Sequence, residues 1–510
     1  MDDVKNQQVA TGQEKKHKTS SPIRRLFRHS AVYSLSTSIQ RLQGLIMLPI
    51  YTSTAYIPKP SDFGNYGLIY TFIAFMNFVY LFGMDSAFLR YFFLGRRDRK
   101  TVFSTTFLVL TGAGIVTSIF LFIFAAPLSR LILFTADLTP YIRLAALILF
   151  FDTIGNLPFL ILRAEERPVS FTVFRMSRFG LELLLNILFV VILKRGVIGI
   201  LYANVLASVI NFVVMSPFAL KYFRFTIDVP LLKEMVHFGL PFLPNGIAYM
   251  TIEMVDRFLV TDYLGKDVMA YYHANYKFAS ILLLLIVGFR NAWQPFFLKI
   301  AEEPNARAVY SRILNYYLLL AGGIVIFMTF FIRDILTLHF FDAFYLLGKD
   351  YWAGIGIIPW IVLSYFFFGI YVIFTPAFYI TKKSKFMVLF TGTGAVLNIV
   401  CNILLLPVLG MWGAVIATVA AYLAMAALIY VVAQQVFPLP LNWNKIFGVL
   451  GMVGFAYLFY YILNPNFVWR VIAYVGIIAA GIFLFFSQSE RDQLRFSMMT
   501  VFKRIGITSK

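Results

Sequence analysis

Asn186-Ile187-Leu188, followed by Gly196-Val197-Ile198-Gly199, returns 214–216 residues later as Asn402-Ile403-Leu404 and Gly410-Met411-Trp412-Gly413. Two further echoes keep the same order. Asp62-Phe63-Gly64-Asn65-Tyr66 reappears as Asp267-Val268-Met269-Ala270-Tyr271 at an offset of 205, and Pro158 matches Pro376 at an offset of 218. One such match is noise, whereas three in register mark a chain made of two similar halves.

Around these echoes the chain is apolar almost throughout. It is 60% hydrophobic and 13% charged over 510 residues, with a mean hydropathy of +0.79, a balance that excludes a soluble domain. Runs of about 20 apolar residues recur, each long enough to cross about 30 Å of hydrocarbon. Fourteen are read, the first over 30–54 and the last over 469–488. The expected fold is therefore an all-α integral membrane protein of about fourteen spans. It comprises a basic tail (1–29), a six-helix bundle (30–220), a second six-helix bundle (236–434), two additional helices (446–488) and a closing tail (489–510). Span 7 lies six crossings after span 1, so both run in the same direction. That makes a parallel repeat, and transporters built this way hold substrate near the midplane between their halves.

The net charge of +20 does not point to nucleic acid. An even number of spans puts both termini on one side. With that side cytosolic, 28 of the 44 Lys and Arg are cytosolic, 9 face outward and 7 lie in spans. The positive-inside rule requires this asymmetry, and membrane lipids account for the rest of the attraction. The single cysteine, Cys401, excludes a disulfide framework, and the five scattered His residues read as loop or helix-end residues without ligand spacing. No metal site or cofactor is expected, connections are too short to hold an enzymatic domain, and no nucleic-acid-binding motif is present.

The seven basic residues within spans are Arg41, Arg90, Arg175, Arg178, Arg257, Lys277 and Arg290, set against Asp85, Asp152, Glu182, Glu253 and Asp256. A cation at membrane depth costs at least about 2.5–3.5 kcal/mol, so each needs a partner, a wet cavity or a task. The basic excess of two suits an anionic amphiphile. Arg41 is mid-span, with an ion pair to Asp85 or Asp152 as its structural alternative. Arg178 and Glu182 are i,i+4 neighbours that can neutralise each other, leaving Arg175 nearer the rim. Arg90 and Arg290 lie near cytosolic exits, where they either snorkel or capture a phosphate. Lys277 sits roughly 13 Å inward from the outer surface with no acid at i±3 or i±4. Glu253, Asp256 and Arg257 cluster on span 7, either as a local salt bridge or, with Asn245, as a coupling site for H⁺ or Na⁺. Pro241 and Pro244 lie beside Gly239 and Gly246, a run that predicts a bend fit for a hinge, and Pro49 predicts one in span 1. Among the aromatics, Tyr33, Tyr51, Tyr66 and Tyr70 are the candidates for sugar contact.

Leu48-Pro49-Ile50-Tyr51-Thr52, Asp62-Phe63-Gly64-Asn65-Tyr66-Gly67 and Gly83-Met84-Asp85-Ser86-Ala87 with Arg90 resemble the start of Wzx-type oligosaccharide flippases. These form the polysaccharide transporter family of the multidrug/oligosaccharidyl-lipid/polysaccharide exporter superfamily. Gly239-Leu240-Pro241, Asp256-Arg257-Phe258, Tyr276-Lys277 and Ala292-Trp293-Gln294-Pro295-Phe296 resemble that family's seventh and eighth helices. The resemblance implies movement of an undecaprenyl-pyrophosphate-linked oligosaccharide from the inner to the outer leaflet of a bacterial cytoplasmic membrane. It also implies a cationic cavity fed by helices 1, 2, 7 and 8, where Arg41, Arg90, Arg257 and Lys277 fall. A polysaccharide polymerase and a chain-length regulator are the expected protein partners. A lipid-linked peptidoglycan-precursor flippase and a multidrug exporter are the alternatives; the latter usually wants acidic residues for cationic drugs.

Overall fold

The computed structural model describes residues 43–485, apart from 95–96, 166, 341–343, 382 and 384, together with 488. The first half contains α1 (Leu48–Tyr51), α2 (Pro60–Leu81), α3 (Met84–Leu94), α4 (Arg99–Ile123), α5 (Ala125–Leu133), α6 (Thr139–Ala164), α7 (Pro168–Asn186) and α8 (Gly196–Leu220). The second contains α9 (Val229–Gly239), α10 (Phe242–Leu264), α11 (Lys266–Lys299), α12 (Ala306–Thr337), α13 (Ile358–Phe374), α14 (Pro376–Ile380), α15 (Lys385–Leu409) and α16 (Met411–Val436). The chain closes with α17 (Trp443–Leu463) and α18 (Phe467–Phe485). A minimal hairpin pairs His339 with Tyr345 and Phe340 with Phe344 after α12.

Among the described residues, nine helices are long and apolar enough to span a membrane, and α2 with α3 makes a tenth. Three more of the fourteen expected spans are present as helices that are less apolar or shorter. α7 carries Arg175, Arg178 and Glu182, α10 carries Glu253, Asp256 and Arg257, and α18 is short. Of the remaining expected span, 30–54, residues 30–42 lie outside the described residues. α7 and α10 are the less apolar helices because they face an interior that is not lipid.

The repeated Asn and Gly residues have matching structural duties. The Asn186 amide donates to the Glu182 carbonyl at 2.8 Å, and the Asn402 amide donates to the Asn398 carbonyl at 2.8 Å. Each bond gives a buried side-chain amide a partner four residues back on its own helix, where no water is available to take its place. The turns that follow use Gly196 at φ +59° and Gly410 at φ +57°, a conformation that costs other L-residues about 1–2 kcal/mol. Gly199 and Gly413 then let the next helix close on the backbone of Phe189 and of Leu405. The repeat is thus carried by backbone requirements.

Within the first half α6 packs between α4 and α8, with α7 against α8; within the second, α10 and α13 pack on α16, and α15 joins α10 and α16. The halves meet where α2 lies against α10 and α11. α17 and α18 rest on α12. Arg470 at the start of α18 is 9% exposed, bonds Asp334 at 2.6 and 3.1 Å and donates to the Phe330 carbonyl at 2.5 Å. Arg470 is thus a charge paired inside the helix packing. Arg470→Leu is expected to cost about 1 kcal/mol, since Asp334 is itself partly exposed, and to leave transport intact. A thermal unfolding midpoint equal to that of the wild type would refute this pinning role.

Two interfacial spans are broken. α2 and α3 bend by 43° across Phe82 and Gly83, and α9 gives way to α10 across Leu240 and Pro241. The second break is the one expected from Pro241 and Pro244, which occupy the N-cap and third position of α10. Pro49 follows a turn at Met47, so the first span is interrupted there as well. The two breaks touch: Gly83, at φ +78°, presses against Gly239 so closely that a Cβ on Gly83 would fall 2.0 Å from the Gly239 carbonyl oxygen.

Candidate functional site

α2 is the wall shared by three cavities between and within the halves. The central cavity, about 480 Å³, is lined by Tyr66, Tyr70, Thr71, Asn77 and Phe78 of α2, Met250, Met254 and Arg257 of α10, and His273 and Lys277 of α11. Asn77 also lines a cavity of about 370 Å³ in the first half, against α6 and α7. Phe78 and Met250 also line a cavity of about 500 Å³ in the second half, with Asn245, Arg290 and Thr391.

The central cavity is basic. The Lys277 ammonium donates to the Tyr66 hydroxyl at 3.1 Å and lies 4.4, 5.4 and 5.9 Å from the ring centres of Tyr66, Phe63 and Tyr51. Among the described residues it has no carboxylate within ion-pairing distance. Rings and a hydroxyl stabilise a cation without cancelling its charge, so its field remains available to an anion. Gly44 adjoins the ammonium, bringing the end of the first span against α11.

Arg257 is held differently. Its Nε donates to His273 Nδ1 at 3.1 Å, its Nη1 donates to the Glu253 carbonyl, Asp256 lies 3.5 Å away, and the Tyr276 ring lies 4.8 Å from the guanidinium carbon. Because His273 Nδ1 accepts, the neutral ring carries its proton on Nε2. That nitrogen is buried without a partner among the described residues, in a side chain lining the cavity. His273, read from sequence as a loop or helix-end residue, instead lies within α11 with its side chain lining the cavity. Its signal was its position four residues before Lys277, on one face of α11.

The acids of span 7 are sealed rather than open. Glu253, 5% exposed, accepts from Tyr365 at 3.1 Å and from Tyr422, while fully buried Asp256 accepts from Tyr272 at 2.5 Å. Asn245 lies apart from them, accepting from Thr391 at 2.9 Å in the second-half cavity. Arg290 is exposed in that cavity with no ion pair among the described residues.

Arg178 departs from its expected pairing. Its guanidinium bonds Asp152 at 2.6 Å and Ser208 at 3.3 Å, and Ser208 bonds Asp152 at 2.7 Å. The carboxylate of the neighbouring helix outcompetes Glu182 because side-chain geometry across α6, α7 and α8 allows a closed three-member network, which the i,i+4 pair does not. Asp152 is thereby claimed by Arg178 and is no longer the free acid envisaged for Arg41. Arg41 and Tyr33 lie outside the described residues. Arg175 donates to Asn156 at 2.9 Å with its guanidinium carbon 3.9 Å from the Phe159 ring centre. Arg90 is exposed on α3, 4.4 Å over the Phe238 ring, and does not join Lys277. The Tyr51, Tyr66 and Tyr70 hydroxyls engage Asn186, Lys277 and Asn204 at 2.7, 3.1 and 2.9 Å.

This arrangement of two helical bundles meeting where α2 packs on α10 and α11 is the fold of multidrug/oligosaccharidyl-lipid/polysaccharide exporters. The chain is similar to the lipid II flippase MurJ in an inward closed conformation, with a TM-score of 0.67 and 16% identity over 91% of this chain and 99% of that one. It is similar to an inward-facing multidrug-resistance MATE transporter of the same superfamily, with a TM-score of 0.63 and 16% identity over 78% and 97%. It is also similar to a superfamily transporter from Pyrococcus furiosus, with a TM-score of 0.60 and 15% identity over 81% and 94%. No curated protein matches the sequence. Residues 35–346 match the model of the polysaccharide biosynthesis protein family, and the chain belongs to that family. Its apolar helices make it a multi-pass membrane protein with the fold of these transporters.

Proposed function

We propose that this protein flips an undecaprenyl-pyrophosphate-linked oligosaccharide repeat unit from the inner to the outer leaflet of a bacterial cytoplasmic membrane, by alternating access of the two halves. The observation that carries the reading is the uncancelled Lys277 ammonium, with the His273 Nε2 donor beside it, in a cavity walled by both halves. A pyrophosphate loses its hydration on entering hydrocarbon, and fixed donors plus one or two cations replace it. The prenyl chain stays in lipid throughout. Arg290 is suited to meeting the phosphates first, from the second-half cavity, and Arg41 to joining them in the centre. Glu253 and Asp256, each carrying tyrosine hydroxyl donors between packed helices, are the candidates for H⁺ or Na⁺ coupling, with Asn245 as an auxiliary oxygen. Pro49, Pro241 and Pro244 mark the joints about which the halves rock. Both termini are cytosolic in this scheme, and a polymerase and chain-length regulator receive the product outside.

Likeness to a lipid II flippase supports a lipid pyrophosphate as the cargo class and keeps a peptidoglycan precursor as the second reading. A multidrug role suits the basic cavity less, because cationic drugs call for acidic partners. Proteoliposomes bearing the protein and an undecaprenyl-pyrophosphate-linked oligosaccharide should expose the glycan to an external glycosidase, whereas protein-free vesicles should not. Extrusion of a cationic dye with no glycan exposure would overturn the proposal in favour of multidrug export.

A further inference from the structure

The first-half cavity differs from the central one in chemistry. Of the nine residues lining it, only Leu81 is apolar; the others are Gln43, Asn77, Asp152, Thr153, Asn156, Arg175, Arg178 and Glu182. Its ionic groups balance, two guanidiniums against two carboxylates. Arg178 is locked to Asp152 and Ser208, while Arg175 is oriented by Asn156 and Phe159. Glu182, one turn along α7 from Arg178 and still within reach of its charge, lies beside Gln43. Such a concentration of polar side chains inside a chain this apolar is costly unless they meet polar groups there.

We infer that this cavity is the saccharide subsite: it holds the sugar bonded to the lipid pyrophosphate while the phosphates occupy the central cavity. The inference rests on the flippase reading above. A dianionic phosphate placed here would face two carboxylates and cations already partnered, whereas a sugar presents neutral vicinal hydroxyls, each both donor and acceptor. Alternating guanidinium, amide and carboxylate groups match that pattern. Position argues the same way. The first sugar is covalently attached to phosphate, so its site must share a wall with the phosphate site, and Asn77 supplies that wall. The second-half cavity also adjoins the centre, but through Phe78 and Met250, which offer a hydroxylated ring no hydrogen bonds. A cation-coupling role fits less well, because a metal ion would have to displace Arg178 from Asp152. The tyrosines of α1 and α2 are committed to protein partners, which moves the sugar-contact role away from them.

The test uses full-length protein in nanodiscs and two probes, undecaprenyl pyrophosphate and the lipid-linked oligosaccharide extracted from the producing cell. Asn156→Leu and Glu182→Leu, neither of which is hydrogen-bonded to the Arg178–Asp152–Ser208 network, should each weaken binding of the glycan-bearing probe about tenfold. Both should bind undecaprenyl pyrophosphate as the wild type does, which also reports that they are folded. Equal loss of both probes, or loss of neither, overturns the subsite. Unchanged binding with loss of pH or Na⁺ dependence of transport assigns the cavity to coupling instead. Wild-type protein that binds neither probe overturns the flippase reading and the subsite with it. Wild-type protein that binds both, with insensitive variants, overturns the subsite alone.

Discussion

Lys277→Met is expected to abolish translocation while leaving the protein at least as stable as the wild type. Lys277 has no carboxylate partner among the described residues, so removing it strands no buried acid; it removes a cation whose desolvation was unfavourable in the empty protein. What is lost is a charge-assisted contact to the proposed phosphates. Truncating a buried charged partner of this kind costs about 2–4 kcal/mol, or about 30- to 1000-fold in the Kd for undecaprenyl pyrophosphate. Lys277→Arg should retain part of that affinity, because the charge persists while the short reach to Tyr66 changes. Two readouts check the argument, ligand binding in nanodiscs and the thermal unfolding midpoint. A Lys277→Met protein that binds normally, or one that unfolds well below the wild type, would falsify the role.

Gly83→Ala should be among the most damaging single-methyl additions at the described glycines. The added Cβ would sit 2.0 Å from the Gly239 carbonyl oxygen and 2.5 Å from its carbonyl carbon, on backbone held at φ +78°. The backbone alone contributes about 1–2 kcal/mol of strain, and overpacking against a carbonyl that cannot rotate away adds about 1–3 kcal/mol. The protein can relieve this only by separating α3 from α9, so the expected phenotype is lowered stability with the two halves parted at that contact. Gly239→Ala places its methyl 2.6 Å from the Gly83 carbonyl oxygen without the φ penalty, and should be milder. Cysteine labelling beside the contact, in a Cys401→Ser background, measures the separation. Equal stability and equal labelling of Gly83→Ala and wild type would remove the contact from any account of gating.

The repeat was legible because backbone geometry restricts residue choice. Glycine closes the turns at 196 and 410 most comfortably, and each matching asparagine amide finds its partner in the carbonyl four residues back, so those letters recur where the surrounding apolar residues have diverged. The break at Pro241 was legible for the same reason. The break at Phe82–Gly83 was less so: a lone glycine in an apolar run has many uses, and its partner Gly239 lies 156 residues away. Lys277 stood out because isolation from acids on its own helix coincided with isolation in space. Arg178 did not follow suit, since helical spacing records only neighbours on one helix while Asp152 arrives from another. His273 shows the converse limit. Its importance comes from which nitrogen Arg257 occupies, and that is a fact of rotamers rather than of spacing.

α17 and α18 lean on α12, with Tyr457 bonded to the Pro359 carbonyl at 2.8 Å and Arg470 clamped to Asp334. They are outriggers of one half. If the halves tilt against each other, this pair is carried bodily along, sweeping the surrounding lipid without any change in its own shape. A spin label on its exposed face, at Phe447 for example, would then act as a pointer whose swing is read against a second label on α4.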